Sequence, residues 1–318
     1  MSFFLKTFNT LTCNRLDMKI LKWIGIIIGS LILVLGAIIS VLYGISKQHE
    51  NQTYNIDISP VYIDYSDESL LEKGRHVATI RACVECHGDN LGGRVFIEDP
   101  VVGLLIATNL TTGAGGLGRD YSDEDFIRAI RHGVRKDGKS VIFMPSHEYN
   151  VIDEADLAAL MAYIRSKDPV DSTHLPETKI GFPFRLMYVL SDIHLFPARL
   201  IDHSIGIPEP VAERTPLQLG AYVATTCIGC HGDNYGGGRI PGVPPHWPEA
   251  SNITLGGVLA DYTEADFFNA MRNGINLEGR VMEPEFMPWQ VFGYMTDEEL
   301  SGLFEYLQSL PARETGTR

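Results

Sequence analysis

Residues 83–165 and 227–308 are two versions of one sequence, and this repeat constrains the chain more than any other feature. CVECHGDNLGGR aligns with CIGCHGDNYGGGR, TNLTTG with SNITLG, and YSDEDFIRAIRHGV with YTEADFFNAMRNGI. FMPSHEYNVIDEADLAALMAYIRS aligns with FMPWQVFGYMTDEELSGLFEYLQS, at an offset that stays near 143 residues throughout. A period this long indicates a duplicated domain; solenoid repeats are far shorter. Each copy is about 100 residues, an ordinary domain size.

The local signals inside each copy are helical. A segment with one glycine, Gly74 or Gly220, precedes each cysteine pair. A middle helix is predicted to start at Ser122 with Asp125, or Thr263 with Asp266, a capping-box pattern, and to stop at Gly133 or Gly274. The last helix starts at Asp153 or Thr296 and is followed by Pro169 or Pro311. No stretch alternates polar and apolar residues for long, so the expected fold is all-α with long loops. Gly74 and Gly220 fall in register with Tyr163 and Tyr306, which predicts a close crossing of the first and last helices of each copy. The expected boundaries are 64–170 and 211–312 for the copies, 171–210 for an interdomain linker and 313–318 for a short tail. The linker is apolar but carries Arg185, Asp192 and Arg199, which speaks against a second membrane span. It reads as a helix in the cleft between the copies, with a membrane-surface or partner-facing helix as the alternative.

Trp23 to Ser46 contains no charged residue. As a helix these residues would rise about 36 Å, enough to cross a bilayer core. Residues 1–22 carry Lys6, Arg15, Lys19 and Lys22 against Asp17, a net +3 in a chain of net charge −14. The positive-inside rule then keeps 1–22 in the cytoplasm, makes 23–46 a transmembrane anchor and 47–63 a stalk, and exports the rest. The expected location is the bacterial inner membrane, with the repeated domains periplasmic. A cleaved signal peptide is the competing reading, disfavoured by the length of the apolar run. Cys13 reads as an incidental thiol. The exported part is strongly acidic, which excludes nucleic acid as a partner. No Ser-His-Asp arrangement, phosphate loop or metalloprotease motif is present.

Cys83-Val84-Glu85-Cys86-His87 and Cys227-Ile228-Gly229-Cys230-His231 have the spacing of covalent haem c attachment. Thiols at i and i+3 reach two vinyl groups on one haem edge, and the next residue, His87 or His231, supplies the proximal nitrogen to the iron. A redox dithiol or half a zinc site is the bland reading of one such motif; two copies in an exported chain favour two haem c groups. Met144 and Met287 lie in matching Phe-Met-Pro sequences, 57 residues after His87 and 56 after His231. The proline stiffens the loop that would present the sulfur as sixth ligand. Met282 is a rival in the second copy, and His132 or His147 would make a bis-His site in the first. Met161, Met271 and Met295 read as core. Arg94 and Arg239 follow the glycine runs as possible propionate contacts, and Asn109 and Asn252 face either a propionate or the loop backbone. Leu110, Tyr121 and Phe126, with Ile253, Tyr262 and Phe267, read as pocket walls.

Over 64–170 and 211–312 each copy resembles a class I cytochrome c domain, so the expected fold is an N-terminal transmembrane helix followed by two tandem domains of that kind. The HGDNxGG, TNLTTG and FMP segments are similar to the cytochrome subunits of membrane-bound alcohol, aldehyde and gluconate dehydrogenases. Those subunits usually carry three haems, and this chain has two motifs. The resemblance implies covalent haem, Met ligation at Met144 and Met287, and periplasmic electron transfer. The function that follows is an electron carrier, with no catalytic residue of its own, serving a membrane-bound dehydrogenase or a terminal oxidase. A di-haem peroxidase, which needs one haem able to open its distal position, is the alternative; the near-symmetry of the copies opposes it.

Overall fold

A computed structural model describes residues 15–211, 213–243 and 246–318 of the chain. Cys13 and Lys6 lie outside the described residues. Helix α1, Arg15–Asn51, is the long apolar one. The first copy contains α2 (Glu68–Ile80), α3 (Cys83–His87), α4 (Asp123–His132), α5 (Ser146–Tyr149) and α6 (Glu154–Arg165). Helix α7, Phe182–Leu190, lies in the linker. The second copy contains α8 (Pro216–Ala224), α9 (Ile228–His231), α10 (Glu264–Asn273), α11 (Trp289–Phe292) and α12 (Asp297–Ser309).

The helix boundaries follow from local chemistry. Ser122, Thr263 and Thr296 each close a full capping box with the acidic residue three positions on. Gly133 (φ 64°) and Gly274 (φ 68°) terminate α4 and α10 in the left-handed region. In each copy the first and last helices cross at the predicted glycine. A β-carbon on Gly74 would overlap the Ala159 carbonyl and sit 2.8 Å from Tyr163 Cβ; on Gly220 it would overlap the Gly302 carbonyl and sit 2.8 Å from Tyr306 Cβ.

The all-α expectation needs one correction. Strands β1 (Arg94–Asp99), β2 (Gly103–Ala107) and β3 (Lys179–Ile180) form a small antiparallel sheet in the order β1-β2-β3. Asp99 accepts hydrogen bonds from the backbone N–H groups of Val101 and Val102 at 2.7 and 2.9 Å, which fixes the hairpin turn. The matching stretch of the second copy carries Pro241, Pro244, Pro245 and Pro248, which cannot donate to a strand ladder.

The linker also differs from expectation. Its apolar residues Phe184, Tyr188, Ile193, Leu195 and Phe196 form a buried cluster with Val102 and Leu105 of the hairpin. Helix α7 packs on the last turns of α1: the Phe182 and Tyr43 rings lie 5.8 Å apart, and Arg185 pairs with Glu50 at 2.9 Å. The linker thus buttresses the anchor helix and the first copy, because the hairpin offers it an apolar face there. The segment after α1 is not a free stalk: Tyr54 N–H donates to the Gly138 carbonyl at 2.8 Å, and Ile58, Val61 and Ile63 pack on the first core.

Candidate haem sites

Both histidines of the CxxCH segments are held the same way. Nδ1 of His87 lies 2.7 Å from the Thr108 carbonyl, and Nδ1 of His231 lies 2.7 Å from the Ser251 carbonyl. A carbonyl only accepts, so each Nδ1 carries the proton and each Nε2 keeps its lone pair. Burial lowers both imidazole pKa values, against the opposing pull of that carbonyl, so the rings stay neutral at neutral pH. This is the tautomer and protonation state a metal ligand requires. The thiols of all four motif cysteines are unbridged and half-buried. Burial pushes Cys83 and Cys227 up to about 12, so neither is a reactive thiolate by itself.

In the first copy His87, Cys83, Cys86 and Met144 line one cavity of about 1060 Å³. Leu110, Tyr121 and Phe126 form part of its wall, as their sequence positions predict. The volume, the apolar wall and the S, S, N and thioether donor set fit a covalently bound haem. In the second copy Cys227, Ile253, Tyr262 and Met287 pack on the core built around Phe267, Met271 and Leu303.

The methionine loops share one backbone device. Pro145 (φ −80°, ψ 54°) and Pro288 (φ −77°, ψ 56°) sit at the centre of inverse γ-turns. Across them Ser146 N–H donates to the Met144 carbonyl at 2.8 Å, and Trp289 N–H to the Met287 carbonyl at 2.7 Å. In the first copy Phe143 holds the left-handed region (φ 63°), with its N–H on the Leu195 carbonyl at 2.9 Å and its ring 6.2 Å from that of Phe96. Hairpin and linker thus brace the turn that carries Met144. Met161, Met271 and Met295 are buried core residues, as expected.

Other predicted residues are placed as follows. Asn109 donates to the Val170 carbonyl at 2.6 Å and Ser172 Oγ at 2.8 Å; Asn252 donates to the Arg313 carbonyl at 2.8 Å. Both asparagines are therefore committed to tying a following loop to its domain. Arg94 is exposed and donates to the Glu85 carbonyl within the attachment turn. Arg239 is also exposed, with its guanidinium 3.4 Å from the Trp247 and Val243 carbonyls. His147 Nε2 lies 2.8 Å from His194 Nδ1, and His132 Nδ1 lies 3.2 Å from His203 Nδ1.

Sequence reasoning missed the contact between the copies. Arg81, only 1% exposed, donates to Thr225 Oγ1 at 2.6 Å, Thr226 Oγ1 at 3.0 Å and the Tyr222 carbonyl at 3.1 Å. It precedes one CxxCH segment by two residues and reaches the segment just before the other. Buried Glu148, four residues past Met144, lies against Gly229 inside the second CxxCH, where a side chain would strike its carboxylate at 2.6 Å. Tyr222 donates to Asp156 at 2.6 Å, and His76 meets Glu299 at 2.9 Å. The two attachment segments are therefore neighbours across an interface that joins these polar contacts to Ile80, which is buried in the second core.

Residues 69–164 match the cytochrome c oxidase cbb3-type subunit III family, and residues 218–311 match the Cytochrome c family. The chain carries cytochrome c domains. Over 284 residues it is 36% identical to the cytochrome c subunit of alcohol dehydrogenase (quinone) from Gluconobacter oxydans, an overlap of 79% of this chain and 57% of that protein. It is 26% identical over 277 residues to the fructose dehydrogenase cytochrome subunit of Gluconobacter japonicus, covering 76% of this chain and 53% of that one. It is 36% identical over 182 residues to the gluconate 2-dehydrogenase cytochrome c subunit of Pantoea cypripedii, covering 53% and 39%. The chain thus spans about half the length of the curated relatives it matches. These relatives are each named as the cytochrome subunit of a dehydrogenase. Helix α1 is long and apolar enough to cross a membrane over Met18–Asn51, by a test that an N-terminal signal sequence also passes.

Proposed function

We propose that the chain is a membrane-anchored di-haem c-type cytochrome that passes electrons between a membrane-bound dehydrogenase and a further redox partner. The observation that carries this reading is the matched pair of sites, each with a neutral histidine whose Nε2 lone pair is kept free. Cys83 and Cys86, and Cys227 and Cys230, are proposed to hold one haem each. His87 with Met144, and His231 with Met287, are proposed as the axial pairs; Arg94 and Arg239 would meet the propionates. Bound haem iron supplies a one-electron couple, and full coordination leaves it no open position for substrate. The polypeptide's part is to fix the imidazole tautomer through a backbone carbonyl and to hold the methionine in a stiff turn. The cationic residues before α1's apolar stretch support a cytoplasmic N-terminus with both domains in the periplasm.

Intact mass of the full chain from a host with haem c maturation tests this directly. Two haem masses are expected, falling to one in Cys86→Ser or Cys230→Ser. A mature chain with no added porphyrin mass, or one haem that survives both substitutions, sinks the proposal.

A further inference from the structure

Helix α7 is apolar on both faces, which is unusual for a helix on a water-facing domain. Its charged and polar side chains point inward: Arg185 is 6% exposed and Tyr188 is 9% exposed. Its outward stripe is apolar, with Phe182 at 53%, Met187 at 42% and Leu190 at 70% exposure, and Pro183 is also exposed. The spacing Pro183, Met187, Leu190 is one helical face. Surface helices of soluble domains turn a polar face to water, and a contiguous exposed apolar stripe marks an interaction surface.

The position of α7 indicates what covers that stripe. Phe182 stacks beside Tyr43, which lies inside the uncharged run of α1, and Arg185 sits 5.9 Å from the same ring. The start of α7 is therefore level with the end of the membrane-crossing stretch. The hairpin turn joins the same patch: Gly181 N–H donates to the Val102 carbonyl at 2.8 Å, and Pro100 and Val101 are exposed next to it. Exposed Lys179 and Arg199 flank the helix, the latter bonded to His49 and Tyr188, with exposed Asp192 just after the helix and Glu98 in the hairpin. An apolar stripe with a charged surround suits the boundary between acyl chains and head groups.

Tyr188 meets His49 at 2.9 Å, so α7 follows α1 from Tyr43 towards its end. We propose that the outward stripe of α7, with the hairpin tip, contacts the head-group zone of the lipid bilayer beside α1 and seats the first domain on the membrane. This rests on α1 being a membrane span and goes beyond it by assigning a second, monotopic contact. The contact fixes the height and tilt of the first haem site above the bilayer, which a single helix alone leaves to rotation.

The test uses the full chain with Cys13→Ser, reconstituted in liposomes of phosphatidylcholine and phosphatidylglycerol. A nitroxide is placed through Met187→Cys, Leu190→Cys or, as an aqueous control in the second domain, Tyr294→Cys; Tyr294 is 63% exposed. Haem mass and the haem absorption spectrum are recorded on each sample, so failure of the haem reading appears separately from failure of this one. Seating in lipid predicts an oxygen-to-nickel-chelate collision ratio several-fold higher at both α7 positions than at the control. A water-like ratio at either α7 position overturns the proposal. So does shielding from both reagents at either position, which would mean that a protein, a second copy or a partner subunit, covers the stripe. Loss of the signature on removing phosphatidylglycerol identifies head-group charge as part of the attraction; retention assigns the seating to the apolar stripe alone. Either result supports lipid contact.

Discussion

Met144 and Met287 sit in turns built by the following proline, and the same turn recurs in both copies. Met144→Ala or Met287→Ala should leave two haem masses on the chain, remove one far-red Met-to-ferric-iron band and lower one of two reduction potentials, because thioether ligation raises the potential. Voltammetry showing two unchanged couples in either variant would exclude that methionine as a ligand. Glu148 gives a second residue-level prediction. Burial lifts its carboxyl from 4.5 to about 8, with Arg81 pulling it back and Asp233 adding to the rise. Its folded value exceeds its unfolded one, so its contribution to stability is complete below about 4.5 and is lost as pH climbs through about 8. Unfolding free energy should fall across this window by an amount on the order of a few kcal/mol, read as a falling thermal midpoint, and Glu148→Gln should flatten the slope. An equal slope in the variant would assign the pH dependence to other groups. The CxxCH segments and the Phe-Met-Pro turns stand out in the sequence because each is a short motif that recurs in both copies. Arg81 and Glu148 do not, since their partners lie in the other copy and no local pattern records how two domains dock.

The helices could be read because caps and glycines act within a few residues of themselves. Gly74 and Gly220 make the point energetically: each lets one helix carbonyl approach another backbone directly. Gly74→Ala or Gly220→Ala forces a β-carbon into backbone that cannot yield like a side chain, a cost of about 3 kcal/mol or more by overpacking. Chemical denaturation followed at the haem band should show the affected domain unfolding early; a midpoint unchanged in both variants would mean that the crossings are looser than described. The hairpin escaped detection for a physical reason. The register shifts between Val95 and Ile97, so the strand's apolar residues lose their period of two. Helix α7 was seen as an apolar stretch, but its partner face depended on a sheet that no periodicity announced.

The most buried polar contact between the two copies is the Arg81 guanidinium, which acts beside the Tyr222–Asp156 and His76–Glu299 pairs. Arg81→Ala leaves the Thr225 and Thr226 hydroxyl oxygens without their donor, while the Tyr222 carbonyl keeps the Thr225 hydroxyl, at a cost of about 1–3 kcal/mol for each group that water cannot reach. Calorimetry should then resolve two unfolding transitions in place of one, and Arg81→Lys should restore little, because an ammonium cannot span three oxygens in the same fork. A single transition in Arg81→Ala would show that other contacts carry the coupling. The duplication and the order of segments were plain in the sequence, whereas the relative placement of the copies was not. Helix α1 adds a last consequence. Its 37 residues run unbroken to Asn51, where Glu50 is clamped by Arg185 and the next strand of chain is stitched to the first domain. A rod of about 55 Å with no swivel at its top holds its cargo like a lamp on a post. With α1 in the bilayer as proposed, such a carrier would not sweep the space around its foot, so encounters with membrane neighbours would come from sideways drift of whole assemblies, at a speed governed by bilayer viscosity.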